Sequence, residues 1–170
     1  MSQPDNTGLP HASLIAHYAT LAGYHTDATS LDVDKDVDLA HLIYAFYTSP
    51  LFKAERAILR LAGHSSSDDE AAALAAGNSQ NFAAWSQESR SERDVVMADV
   101  SGRTKSWLCA ERMQAGTRLW FGSVIVPEQT ATGEQIPFLF RVLMRPHLFY
   151  SRQLLRSAAR NLNQSRARMA

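Results

Sequence analysis

Between residues 82 and 126 four strand-like runs follow one another with links too short for anything but hairpins. No other part of the sequence constrains the fold as tightly. The runs are 82–90, 94–100, 104–112 and 117–126. They are separated by Ser91-Glu92-Arg93, Ser101-Gly102-Arg103 and Met113-Gln114-Ala115-Gly116, so the spacing predicts an antiparallel meander of four strands. The last run, Leu119-Trp120-Phe121-Gly122-Ser123-Val124-Ile125-Val126, is apolar on both parities. Such a strand is covered on both faces, or its second face lines a cavity, and Gly122 marks a place where another group approaches the backbone closely.

The flanking segments add helices. Residues 1–10 are polar and read as a loose leader, and residues 166–170 as a tail, around a single domain over 11–165. Ser13 is placed to cap a short helix carrying Leu14, Ile15, Tyr18 and Leu21, with Gly23 at its end. Residues 24–33 predict an edge strand, which makes about five in all. Alternating aspartates from Asp32 to Asp38 suggest a calcium loop, but Val37 and Ile43 stand where its glycine and glutamate belong. They suit better the capping of a helix that starts at Leu39. Ser49-Pro50 restarts a second helix with Leu51, Ile58, Leu59 and Ala62 as its buried stripe, Arg56 and Arg60 outward, and Glu55 at or beside the apolar face, either in a local ion pair, the expected arrangement, or as a cavity carboxylate. Ser67 and Glu70 form a capping box that opens an alanine-rich helix, expected as a surface cover that stops at Gly77-Asn78. After a polar loop, a long helix over 138–163, kinked at Pro146, completes an α+β class domain. Leu143, His147, Tyr150, Leu154 and Ala158 follow one side of that helix.

Composition excludes several classes. With 45% apolar and 20% charged residues, the chain has the means to bury a core, and no run reaches the roughly 18 apolar residues of a membrane span. Without a basic-then-apolar start, the expected address is cytoplasmic, and the lone Cys109 fits a reducing compartment and reads as packing. Net charge is zero, yet residues 136–170 carry seven arginines and no acid. A neutral domain without a recognition motif argues against nucleic acid. The stripe Arg152, Arg156, Arg160 is expected to pair with the acidic turn, in the same molecule or in a second copy of a homo-oligomer.

The order of edge strand, helix pair, antiparallel strands and long last helix resembles the START-like, or polyketide-cyclase-like (SRPBCC), helix-grip superfamily over 24–33, 39–62, 82–126 and 138–163. The blocks Ala-Phe-Tyr-Thr-Ser-Pro-Leu-Phe, Arg-Thr-Lys-Ser-Trp-Leu and Gly-Thr-Arg-Leu-Trp-Phe-Gly-Ser are similar to those of a bacterial family of that general class. The resemblance implies an apolar pocket between the sheet and the last helix. Members bind lipids, aromatic polyketides or hormones, and some carry out cyclisation, dehydration or hydrolysis. Five strands rather than about seven imply a smaller cavity, and the resemblance brings no catalytic set with it.

The six histidines lie one per element with no ligand spacing, and there is no phosphate loop or nucleophile elbow, so no metal or cofactor is expected. Period-2 alternation groups Trp107 and Cys109 with Lys105 and Glu111, and Trp85 with Gln87 and Ser89 opposite Glu88 and Arg90. The ligand-lining candidates are therefore Trp85, Gln87, Trp107, Cys109, Phe121, Leu143 and Leu154, around a small apolar or amphipathic molecule. For acid–base chemistry the candidates are His147, at the helix kink, with Tyr150, Arg90 and Glu111. The basic helix as an oligomerisation or adaptor surface is the remaining alternative.

Overall fold

The computed structural model describes residues 9–10, 12–61, 63–130, 133–135 and 149–162. Helix α1 (Leu14–Ala19) precedes strand β1 (His25–Val33), and α2 (Leu39–Tyr47), α3 (Pro50–Leu61) and α4 (Asp68–Ala75) follow. Then come β2 (Asn81–Phe82), β3 (Trp85–Arg90), β4 (Asp94–Asp99), β5 (Thr104–Arg112), β6 (Thr117–Ile125), β7 (Glu128–Thr130) and β8 (Gly133–Gln135). Residues 149–162 form the last described helix, α5. The main sheet has six antiparallel strands in the order β1-β6-β5-β4-β3-β2. The expected first run of the meander is broken by a turn in which Ala83 takes φ 51°, giving β2 and β3. The expected polar loop after Pro127 contains a two-stranded hairpin, β7-β8.

Strand β6 lies between β1 and β5, and every residue from Leu119 to Ile125 is buried. Its two parities feed two separate cores. On one face Leu31, Val95, Met97, Leu108, Leu119 and Phe121 pack under α2, α4 and α5. On the other, Ala28, Val96, Trp107, Cys109, Trp120 and Val124 pack under Ile15 and Tyr18 of α1. Gly122 is what lets α1 come down. A Cβ there would lie 2.7 Å from Ile15 Cδ1 and 2.8 Å from the Asp27 carbonyl.

The short helix α1 is held by a distant group. Ser13 makes no side-chain cap, and its hydroxyl donates to the Pro10 carbonyl at 2.8 Å. The buried carboxylate of Asp94 accepts from Leu14 N at 2.8 Å and from Trp107 Nε1 at 3.0 Å, so β4 caps the helix and orients the indole beneath it.

Three expectations about helices and charges are corrected. In α3 only Phe52 is fully buried, Ile58 is 69% and Leu61 87% exposed, and Arg56 turns inward. Its guanidinium donates to Asp68 Oδ1 at 2.6 Å and to the Ser66 carbonyl at 2.7 Å, an arrangement that outweighs the apolar pattern because it satisfies the chain between α3 and α4. Helix α4 is a packed element: Ala71 and Leu74 are fully buried, and its small side chains let it lie close on α2. The acidic turn is occupied by strand arginines and by a helix cap. Asp32 accepts from Arg118 Nε at 2.6 Å and Nη2 at 2.9 Å, Asp36 lies 3.9 Å from Arg112, and Asp38 caps α2 through His41 N at 2.8 Å.

Candidate functional site

A cavity of about 300 Å³ lies on the helix side of the sheet. Phe46 and Tyr47 from the end of α2, Phe52 and Glu55 from α3, Trp85 from β3, Phe121 from β6, and Tyr150 and Leu154 from α5 form its walls. Ser106 and Ser123, cross-strand partners on β5 and β6, contribute hydroxyls from the sheet floor. Its aromatic walls meet edge-on and tilted: Phe46 and Phe121 have centroids 4.9 Å apart, Tyr47 and Phe52 4.9 Å, and Phe52 and Trp85 5.7 Å.

Local sequence explains how the wall is assembled. The Thr48-Ser49-Pro50 break between α2 and α3 lets three aromatics close in sequence, Phe46, Tyr47 and Phe52, converge on one spot. Asn161 Nδ2 ties α5 to the end of α2 by donating to the Ala45 carbonyl and to Thr48 Oγ1, each at 3.0 Å. Leu51 N donates to Ser157 Oγ at 3.4 Å.

The polar end of the cavity is a pair that joins α3 to α5. Tyr150 donates its hydroxyl to Glu55 Oε2 at 2.8 Å. Burial, the hydrogen bond and the negative charge of Glu55 all hold the Tyr150 phenol protonated well above its usual range. Tyr47, fully buried, is likewise raised by burial, partly offset by its hydrogen bond with Ser106. The arrangement therefore presents a carboxylate hydrogen-bonded to a neutral phenol, and serine hydroxyls on the sheet floor, inside a surface that is mainly apolar. Such a site can orient a molecule by one polar group while the rest of it sits against rings.

Of the residues singled out from sequence, Trp85, Phe121, Tyr150 and Leu154 line this cavity. Trp107 and Cys109 do not. They belong to the core under α1, where burial pushes the Cys109 thiol up to about 12, and the face that strand alternation gives them is the one turned away from the cavity. Gln87 sits opposite Met97 but is not among the lining residues. A bulge between Gln87 and Ser89 reverses the parity of β3, so Arg90 comes to the helix face. There its guanidinium donates to the Leu74 and Ala75 carbonyls at 2.8 and 2.6 Å, capping α4 away from the cavity. Glu111 accepts from Trp120 Nε1 at 2.9 Å on the α1 side. His147 and Leu143 lie outside the described residues.

Glu55 and Phe52 are the residues that sequence reasoning underweighted. Their signal was the i, i+3 spacing of an aromatic and a carboxylate on one side of α3. Glu55 makes a contact across 95 residues, to Tyr150, and lines the cavity as the second of its two expected arrangements has it. Among the described residues no three metal-ligating side chains converge, and no helix is long and apolar enough to cross a membrane. The sequence matches no protein-family model and no curated protein.

Proposed function

We propose that this protein binds a small, largely apolar molecule in the cavity between the sheet, α2, α3 and α5. The observation that carries the reading is the combination of about 300 Å³ of space, aromatic walls and one convergent polar end, the composition by which ligand sites differ from ordinary packing defects. The placement between an antiparallel sheet and the last helix supports the helix-grip resemblance as part of the same proposal. Native mass spectrometry of protein purified from its own host, without denaturation, is expected to reveal a bound mass that Ser106→Phe removes. Ser106 is on the cavity floor, so the larger ring fills the void while the fold, followed by circular dichroism, persists. Loss of the fold rather than of the ligand would leave Leu154→Trp as the equivalent filling test from the helix side.

The Tyr150–Glu55 pair also favours a second reading, acid–base turnover of the bound molecule without a metal. The acid–base group would then be Glu55 with Tyr150, in place of Arg90 and Glu111. Glu55→Gln would stop turnover while leaving binding of the substrate body in place.

A further inference from the structure

We infer that the outer face shared by α3 and α5 docks onto an anionic lipid surface, with Ile58, Leu61 and Phe149 entering the boundary between headgroups and acyl chains and Arg152, Arg156 and Arg160 meeting lipid phosphates. Leu51 N reaches Ser157 Oγ and Tyr150 reaches Glu55, so the two helices run antiparallel and the last turns of α3 lie beside the start of α5. Ala54, Ala57, Ile58 and Leu61 are exposed at the i, i+3, i+4 and i+7 positions of α3, a single outward stripe. On α5 the buried side is Ser151, Leu154, Leu155, Ala158, Ala159 and Leu162, which turns Phe149, Gln153, Arg156 and Arg160 outward, with Arg152 at their edge.

Both the apolar and the charged groups of that face lack partners. Ile58, Leu61 and Phe149 are 69%, 87% and 66% exposed on paired helices, whereas the exposed Val100 and Met113 stand singly beside hairpin turns. Residues 136–170 hold seven arginines and no acid. Among the described residues no carboxylate pairs with Arg152, Arg156 or Arg160, and the buried Nε of Arg152 has no acceptor. The cations Lys53 and Arg56 of α3 are, by contrast, held by Asp68 on the side turned to α4. Exposed apolar side chains flanked by guanidinium groups without a counter-charge suit a surface that offers hydrocarbon and phosphate together, as a bilayer interface does. A nucleic acid offers the phosphates without the hydrocarbon. The inner faces of the same helices line the cavity, yet docking of this kind requires neither a filled cavity nor the charge of Glu55.

The test is co-sedimentation of the intact chain with vesicles of phosphatidylcholine alone and of phosphatidylcholine with about 30% phosphatidylserine, which gives a negative surface. Binding is expected on the anionic vesicles, about tenfold or more weaker on the neutral ones, and weaker as salt rises from about 0.1 M to about 1 M. Arg156→Gln combined with Arg160→Gln is expected to lower the affinity for anionic vesicles about thirtyfold, roughly fivefold for each arginine near such a surface. Ile58→Gln combined with Leu61→Gln, both at exposed positions, is expected to lower it about tenfold while the fold, followed by circular dichroism, persists. No binding to anionic vesicles, equal binding to neutral ones, or binding that survives the arginine substitutions overturns the inference. Binding lost with the arginine pair but kept with the apolar pair overturns it too, and points to a purely ionic partner such as an acidic peptide. If either variant fails to fold, hydrogen exchange of the unsubstituted protein on anionic vesicles decides. Slowed exchange over 54–61 and 149–160 is expected, and slowing confined to other elements overturns the docking face.

Discussion

At the scale of single residues, paired polar groups set how this protein responds to pH and substitution. The Asp32 carboxyl is held below the usual aspartate range, chiefly by its two hydrogen bonds from Arg118. The folded state therefore binds fewer protons there than the unfolded chain. The stability this contributes is present above the unfolded value of about 3.9 and is lost as pH falls through the folded one. Replacing Arg118 with Met should flatten the acid limb of a plot of melting temperature against pH, read by calorimetry from about pH 6 to about pH 3. The pair is about one-third exposed, so solvent screening keeps the contribution small; it is present at neutral pH, and the difference between the Arg118→Met variant and the parent shrinks as pH falls toward about 3. Arg90 makes a different kind of contact, capping the last carbonyls of α4. Arg90→Leu should destabilise the fold by about 1–3 kcal/mol in urea titration while ligand affinity at the cavity is unchanged, since the side chain does not line it.

At the scale of elements, β6 is the part on which both faces depend. Gly122 admits Ile15 of α1 on one side of it, and a methyl group there would also meet the Asp27 carbonyl of β1, which cannot swing away as a side chain can. Gly122→Ala should cost about 1–3 kcal/mol and raise amide hydrogen exchange in α1 and β1 before it does so in α2 and α4. The need for a close approach at this glycine was legible in the sequence, because a glycine inside an apolar strand gives up packing area and is kept where a neighbour comes down onto the backbone. Strand limits were legible for the same kind of reason: Thr104–Arg112 is bounded by a Gly-containing turn on either side. What local pattern left open is which face meets which layer. When both parities of a strand are apolar, alternation sorts residues into two sets, yet the choice between the α1 side and the cavity side is made by elements far away in sequence. Trp107 and Cys109, the more conspicuous set, went under α1, and Ser106 went to the cavity floor. The bulge in β3 and the roll of α3 around Arg56 were hidden for a related reason, since both follow from long-range partners and not from periodicity.

At the scale of the whole molecule, one sheet separates two interiors of unlike character. Under α1 the packing is closed by Trp107 against Trp120, with Asp94 satisfying both the indole and the helix end. Under α2, α3 and α5 the rings leave space and a carboxylate–phenol pair enters it. If this second interior is a binding site, an amide NMR titration of the intact chain with 2-phenylethanol, a small neutral aromatic alcohol, will show it. The predicted result is a saturable set of shifts confined to residues that converge only in the fold: Phe46, Tyr47, Phe52, Trp85, Phe121, Tyr150 and Leu154. Shifts restricted instead to the exposed apolar side chains Ile58 and Leu61, or no saturable shift at any concentration the probe reaches, would contradict it.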